Sequence, residues 1–128
     1  MKDDTRRLLE KASRAIGAGE ALLRRGDVDF TASRAYYAMF YTAEALLHER
    51  GLRYRKHGGV HSAFGEHFVK TGVLKADFHR WMLDAFDKRI EGDYGVEARV
   101  TAEDAKTMFR QAWEFLRAAR RHLRSGRR

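Results

Sequence analysis

The chain has 128 residues, of which 26 are lysine or arginine and 18 are aspartate or glutamate, so its formal net charge is +8. It contains no cysteine, which excludes a disulfide framework, a zinc–thiolate site and a cysteine nucleophile. No apolar stretch approaches the ~20 residues of a membrane-spanning helix, and the N-terminus lacks the apolar core of a signal peptide. Length and composition therefore predict one cytoplasmic domain over residues 1–128 with no membrane partner.

The positive charge is concentrated at the C-terminus. Residues 117–128 contain six arginines and no acidic residue, which leaves +2 of the +8 for residues 1–116. Such a basic end is typical of a solvated helix terminus. It can also attract the phosphates of a nucleic acid, so a nucleic-acid-binding arm is one alternative function.

Apolar residues recur with helical spacing along the whole chain, without period-two alternation and without proline. The pattern predicts five helices, at about residues 3–25, 30–50, 60–70, 75–91 and 101–124. The expected fold class is therefore all-α, a small helical bundle.

Glycines mark the ends of the first three predicted helices. Gly26, Gly51 and Gly72 follow them, and glycine most easily adopts the left-handed conformation that terminates a helix. Asp27 or Asp29 is a candidate N-cap for the second helix.

The fifth helix has a clear start signal. Thr101 with Asp104 three residues later forms a capping-box pattern. A loop that contains Gly92 and Gly95 is expected before it.

The second predicted helix is apolar on nearly all sides, which is typical of a helix at the centre of a bundle or buried on two fronts. One of its edges carries amphipathic aromatic, acidic and imidazole side chains at i, i+4, i+7 and i+11, namely Tyr37, Tyr41, Glu44 and His48. Tyrosine suits interfaces because its ring is apolar and its hydroxyl is polar. We predict a homodimer face at this edge; the alternative is a core helix whose tyrosine hydroxyls reach the rim.

One arginine falls in the apolar stripe of the fourth helix. At 100° per residue, Arg89 lies about 20° from Phe78 around the helix axis. A charge there is costly unless it reaches water, a carboxylate or a phosphate. Glu91 or Asp93 could pair with it, and an arginine near a helix end can also extend into solvent.

The histidines do not predict a metal site. His57 and His61 are four residues apart, but Gly58 and Gly59 between them make a regular helical face doubtful. Two ligands are also too few for a catalytic zinc. The chain has neither a phosphate loop ending in GK[ST] nor a G-x-S-x-G motif, so no cofactor is expected.

Three segments of the chain resemble the HEPN domain family. The three segments contain SRAYYAMF at residues 33–40, HGGVHSAFG at 57–65 and RIEGDY at 89–94, respectively. The likeness extends over roughly residues 5–125. The resemblance implies an all-α up-and-down bundle that dimerises through its central helices. It also implies a toxin–antitoxin setting, in which many members are encoded beside a minimal nucleotidyltransferase.

Many members of this family are metal-independent endoribonucleases that use an Arg-x4–6-His motif at the dimer interface. Arg89 occupies the place of the motif arginine, but Tyr94, preceded by Asp93, stands four intervening residues later where the histidine is expected, and no histidine lies between Arg89 and His122. The chain is therefore similar to a branch with an Arg…Asp-Tyr ending. Its candidate catalytic residues are Arg89, Asp93 and Tyr94.

The missing histidine matters because attack of a 2′-hydroxyl on phosphorus needs a base whose pKa is close to neutral. Tyrosine, with a pKa of about 10, and aspartate, at about 3.9, serve this role poorly. Loss of an acid–base group lowers a rate by about 10²–10⁴. His48 or His57 could substitute across the dimer, and the sequence alone does not place either.

Two principal functions follow. The first is a toxin-like HEPN endoribonuclease that acts on RNA without a metal, as part of a toxin–antitoxin or defence system. The alternative is a catalytically inactive dimeric partner or nucleotide-binding module for a minimal nucleotidyltransferase, with Tyr94 as the acceptor of an adenylyl group. An arginine-rich nucleic-acid arm at residues 117–128 is a third possibility.

Overall fold

The computed structural model describes residues 1–96 and 100–126. Within them the chain forms five α-helices and no strand: α1 (Asp3–Arg24), α2 (Thr31–Glu49), α3 (His57–Phe64), α4 (Ala76–Tyr94) and α5 (Ala102–Arg124). The all-α prediction is confirmed. Across the described residues, no helix is both long enough and apolar enough to cross a lipid bilayer.

Helix α2 is the centre of the bundle, as its all-round apolar character predicts. It packs against α1, α3, α4 and α5, and Ala35, Tyr36 and Met39 on it are completely buried. Its five alanines allow these neighbours to approach closely, while its larger apolar side chains fill the space between them. The central helix therefore forms a wall of any site that lies between α2 and its neighbours.

The ends of the first two helices are as the glycine pattern predicts. Gly26 and Gly51 have φ angles of 87° and 78°, in the left-handed region that disfavours other residues. The prediction that Asp27 or Asp29 caps α2 is wrong. A short 3-10 turn, Val28–Phe30, lies before α2, and neither that turn nor α2 has a side-chain cap.

Helix α3 begins earlier than predicted. It starts at His57 instead of near residue 60, and a π-helical turn at Gly65–Val69 extends it. Gly58 and Gly59 lie in its first turn, and Gly59 packs against Tyr54, since a Cβ at Gly59 would lie 3.2 Å from the Tyr54 Cβ. Tertiary packing thus outweighs the low helix propensity of the two glycines.

Helix α4 is longer than predicted, because the expected loop residue Gly92 belongs to the helix and is buried. A Cβ at this position would collide with the backbone carbonyl oxygen of Asp29. Glycine therefore allows the last turn of α4 to contact the segment that leads into α2. Residues 97–99 of the expected loop lie outside the described residues.

Helix α5 begins with the predicted capping box. The Asp104 backbone N–H donates to Thr101 Oγ1 at 3.0 Å, and the Thr101 backbone N–H donates to Asp104 Oδ2 at 3.1 Å. The second of these bonds is the main cause that lowers the pKa of Asp104. Four of the six C-terminal arginines belong to α5; Arg127 and Arg128 lie outside the described residues.

Candidate functional site

Arg89 lies between α2 and α4 in a cluster of aromatic rings. Its guanidinium carbon is 5.7 Å from the Tyr36 ring centroid, 5.6 Å from that of Tyr37 and 5.3 Å from that of Phe86. Only 17% of its side chain is exposed. Arg89 thus occupies the apolar stripe of α4, as the helical spacing predicts, and it is stabilised there by the negative faces of the rings.

The charge partner of Arg89 is Asp93, one helical turn further along α4. Arg89 Nη1 is 3.8 Å from Asp93 Oδ2, which is too long for a hydrogen bond. The same carboxylate oxygen accepts a 2.6 Å hydrogen bond from the Ser33 hydroxyl on α2. Glu91, the other predicted partner, pairs with Lys88 instead.

The guanidinium has hydrogen-bonding capacity left. Its Nε is buried and meets no hydrogen-bond acceptor in the described parts of the chain, and the Asp93 contact is electrostatic only. Leaving a buried donor unmatched costs about 1–3 kcal/mol. A planar group with unused N–H donors is well suited to bind an oxyanion such as a phosphate.

Next to Arg89, the Tyr36 hydroxyl joins two histidines of α3. It lies 2.6 Å from His57 Nδ1 and 2.8 Å from His61 Nε2. Burial, with smaller effects of His57 and His79, lowers the pKa of His61 to about 4. Burial and the charge of Arg89 lower the pKa of His57. Both imidazoles are therefore neutral at pH 7.

The doubt that His57 and His61 share a helical face is wrong, because both lie on α3 and point to one hydroxyl. Their common partner is nevertheless the Tyr36 phenol. Among residues 1–96 and 100–126, no group of three His, Asp or Glu side chains could hold a metal ion.

An open groove between α1 and α2 adjoins the Arg89 cluster. Three cationic side chains and two tyrosines line it, namely Lys11, Arg14, Arg34, Tyr37 and Tyr41. Lys11 Nζ lies 4.7 Å above the Tyr41 ring. Tyr37 belongs to both, so the groove adjoins the Arg89 cluster at this residue.

The four residues of α2 that are predicted to form a dimer face differ in their surroundings. Tyr37 and Tyr41 line the groove, and both are half-buried. Burial raises the pKa of Glu44, and burial is also the main cause that lowers the pKa of His48. A homodimer across these residues stays a prediction.

The structure separates the other predicted site residues. Tyr94 ends α4 with 74% of its surface exposed, outside the Arg89 cluster, so its catalytic role stays a prediction. His48 lies 11 residues after Tyr37 on α2, roughly 16 Å along the helix axis. Of the two candidate substitute histidines, His57 is the one beside Arg89 within a single chain.

Three members of this site, Ser33, Tyr36 and His61, were not predicted from the sequence. Ser33 and Tyr36 are three residues apart, so helical periodicity places them on one face of α2. That periodicity is a signal that could have found them. The pairing of Tyr36 with α3 is a long-range contact, which no local pattern encodes.

Comparison with known proteins agrees with the resemblance. A family model of the HEPN domain matches residues 5–123. A Methanocaldococcus jannaschii protein provisionally named a toxin is 32% identical over 95% of this chain and 83% of its own length. A UPF0332 protein of Gloeobacter violaceus is 34% identical over 96% of this chain and 98% of its own length.

A second Methanocaldococcus jannaschii protein, also provisionally named a toxin, is 28% identical over 97% of this chain and 92% of its own length. The family model alone spans nearly all of the helical bundle, including α2, α3 and α4. The chain belongs to the HEPN domain family.

Proposed function

We propose that this protein is a toxin-like endoribonuclease in which Arg89 binds the phosphate at the cleavage point, without a metal ion. The observation that carries the proposal is the state of the Arg89 side chain, which is largely buried and has a donor without an acceptor in the described residues. A phosphate would supply the acceptors and compensate the positive charge. In cleavage, the same contact would stabilise the negative charge that develops on the phosphoryl oxygens.

The groove between α1 and α2 supports RNA as the substrate. Its three cationic side chains suit a phosphate backbone, and its two tyrosines offer flat surfaces on which bases stack. Base–aromatic stacking contributes about 1–3 kcal/mol per base and tolerates any sequence. The arrangement favours single-stranded RNA, whose bases are accessible to such rings.

The toxin setting is supported by the relatives, two of which carry provisional toxin names. A nuclease that damages RNA would harm the cell that makes it, so a partner that covers the site is expected. From the family resemblance, a minimal nucleotidyltransferase is our candidate for that antitoxin.

A cleavage assay in chelator tests this proposal. We expect purified wild-type protein to cleave labelled single-stranded RNA in EDTA, and Arg89→Ala to lower the rate at least about 10²-fold, because an essential donor to the phosphate is lost. RNA affinity should fall as well. Fluorescence anisotropy measures it.

The matched control is Arg80→Ala, since Arg80 lies on the same helix, has 59% of its side chain exposed and forms an ion pair with Asp77. It should cleave at the wild-type rate. If wild type and Arg89→Ala are equally inactive, the nuclease proposal is wrong.

A second candidate function is favoured by the exposure of Tyr94. A phenol that is 74% exposed at the end of a helix is accessible to an enzyme that transfers a nucleotidyl group. In this case the chain is an inactive partner module for a minimal nucleotidyltransferase, and Tyr94 accepts the adenylyl group.

Co-expression with a minimal nucleotidyltransferase, followed by intact-mass measurement, tests the second candidate. We expect the mass of one nucleotidyl group on the wild-type chain and none on Tyr94→Phe. Tyr54→Phe, which removes another exposed tyrosine hydroxyl, is the control and should still be modified. An unmodified wild-type chain would exclude this candidate.

A further inference from the structure

The Tyr36 hydroxyl sits between two imidazoles in the interior of the protein. Tyr36 is fully buried and His61 is 8% exposed, whereas His57 is half-buried. The ring of His57 stacks on Phe40, with 4.5 Å between the centroids. His57 is therefore fixed on its Nδ1 side, which leaves Nε2 as the ring nitrogen that remains for a substrate.

The ring nitrogen of His57 that carries the proton depends on the hydrogen bonds of Tyr36. A phenol hydroxyl has one proton, so Tyr36 donates to one imidazole and accepts from the other. If His57 Nδ1–H donates to Tyr36, then Tyr36 donates to His61 and His57 Nε2 carries a lone pair. In the reverse arrangement, His57 Nε2 carries the proton.

These two arrangements give His57 both roles that acid–base catalysis requires. The first presents a proton acceptor at Nε2 and the second presents a proton donor, while each ring remains neutral. Both are possible because burial keeps the pKa of His61 at about 4 and the Tyr36 pKa is raised. The buried pair Tyr36 and His61 thus determines whether His57 Nε2 carries a proton or a lone pair.

His57 and Arg89 also share one aromatic wall. The His57 ring centroid lies 6.0 Å from that of Phe86 and 5.8 Å from that of Tyr37, and the Arg89 guanidinium contacts the same two rings. The titratable and charged groups that face His57 are Tyr36 and Tyr37 on α2, His61 on α3 and Arg89 on α4. A phosphate on Arg89 would therefore lie against the same aromatic wall as the His57 ring.

We propose that His57, in the same chain as Arg89, is the general base of this site, with Tyr36 and His61 as residues that position its ring. The proposal rests on the RNA cleavage proposed above. The acid–base group then comes from α3, so the site does not need a histidine after Arg89 on α4.

The reaction step is a transesterification. His57 Nε2 takes the proton of a 2′-hydroxyl, the 2′-oxygen forms a bond to the adjacent phosphorus, and the bond from phosphorus to the 5′-oxygen breaks. The leaving 5′-oxygen keeps the electron pair and takes a proton from water. The hydroxide that remains is neutralised by the proton on His57. The products are a 2′,3′-cyclic phosphate and a 5′-hydroxyl.

A pH–rate profile in EDTA tests the proposal. Because burial and Arg89 lower the pKa of His57, the wild-type single-turnover rate should rise with pH, with a midpoint below 6.5, and be constant from pH 7 upward. His57→Asn keeps a hydrogen bond to Tyr36 but cannot titrate. It should lower the rate by about 10²–10⁴ and remove the rising limb, while RNA affinity changes less than about threefold.

Three further variants separate catalysis from structure. Tyr36→Phe should lower the midpoint further, because the imidazolium loses the hydroxyl that accepts from Nδ1–H. His67→Asn, at a half-buried histidine of the π-helical turn, should match the wild type. His57→Ala should regain at least tenfold of its lost rate with added imidazole, a result that a purely structural histidine would not give.

The outcomes are distinguishable. If Arg89→Ala is inactive but His57→Asn cleaves with the wild-type profile, the role of His57 is wrong and the proposed function stands. If the wild type does not cleave RNA, both fail. If His57→Asn does not fold, the wild-type profile decides, because a rate that is constant from pH 5 to 8 would overturn the role of His57.

Discussion

Replacing Arg89 by methionine should abolish RNA cleavage and leave the fold at least as stable as the wild type. The replacement removes a buried Nε that has no acceptor in the described residues, which costs about 1–3 kcal/mol. It also removes a partly exposed ion pair with Asp93, worth about 1 kcal/mol or less. Methionine keeps the contacts with the surrounding aromatic rings.

The free energy of unfolding should therefore stay constant or rise by up to about 2 kcal/mol. Urea unfolding followed by circular dichroism measures it, and the cleavage assay in EDTA is run on the same preparations. Arg89→Lys is the second variant. It keeps the charge but loses the planar fork, and a point charge is a poor substitute for bidentate phosphate binding.

A clear loss of stability in Arg89→Met would contradict the proposal that Arg89 is buried in order to bind a phosphate. In that case the guanidinium would stabilise the fold, and its burial would need no ligand to explain it. A stable, inactive variant would instead mean that Arg89 is retained for binding at the expense of stability.

Replacing Gly92 by alanine should lower both stability and cleavage. The new Cβ would collide with the carbonyl oxygen of Asp29, and a side chain forced into a close-packed contact typically costs about 1–3 kcal/mol. The last turn of α4 must then move away from the start of α2. This shift would separate Asp93 from Ser33 and displace Arg89, and a misplacement of about 1 Å can lower a rate 10²-fold.

The matched control is Gly17→Ala in α1. Gly17 is exposed, and a Cβ there meets nothing within 4 Å. Alanine should therefore stabilise the protein by about 0.5–1 kcal/mol through helix propensity alone. Thermal and urea unfolding of the two variants measures the difference. Equal stability would show that α4 does not need the close approach at Gly92.

Local patterns predict most of the fold because they act within one helix. The apolar periodicity gives all five helices, and the capping pattern at Thr101 gives the start of α5 to the residue. The errors occur where tertiary contacts outweigh local preference. Gly92 is read as a loop residue because glycine is a poor helix former, yet its contact with Asp29 makes a glycine necessary in α4.

The site was predictable in part. Helical spacing alone places Arg89 among apolar residues, and the resemblance adds Asp93. The role of Tyr36 was not predictable, since it depends on the way α3 crosses α2 and brings His57 and His61 to one hydroxyl. Such crossings depend on packing over 20 or more residues of separation, which a local pattern does not specify.

The central position of α2 has a consequence for control of the protein. The same helix carries Ser33, Tyr36 and Tyr37 and forms the axis of the bundle, so the wall of the site belongs to the helix that packs against all the others. Any large rearrangement of that wall would disturb the contacts of α2 with four other helices. A regulator acting at this wall therefore has to work by occlusion, as a cover of matching shape and charge, and its release restores a site that is already assembled.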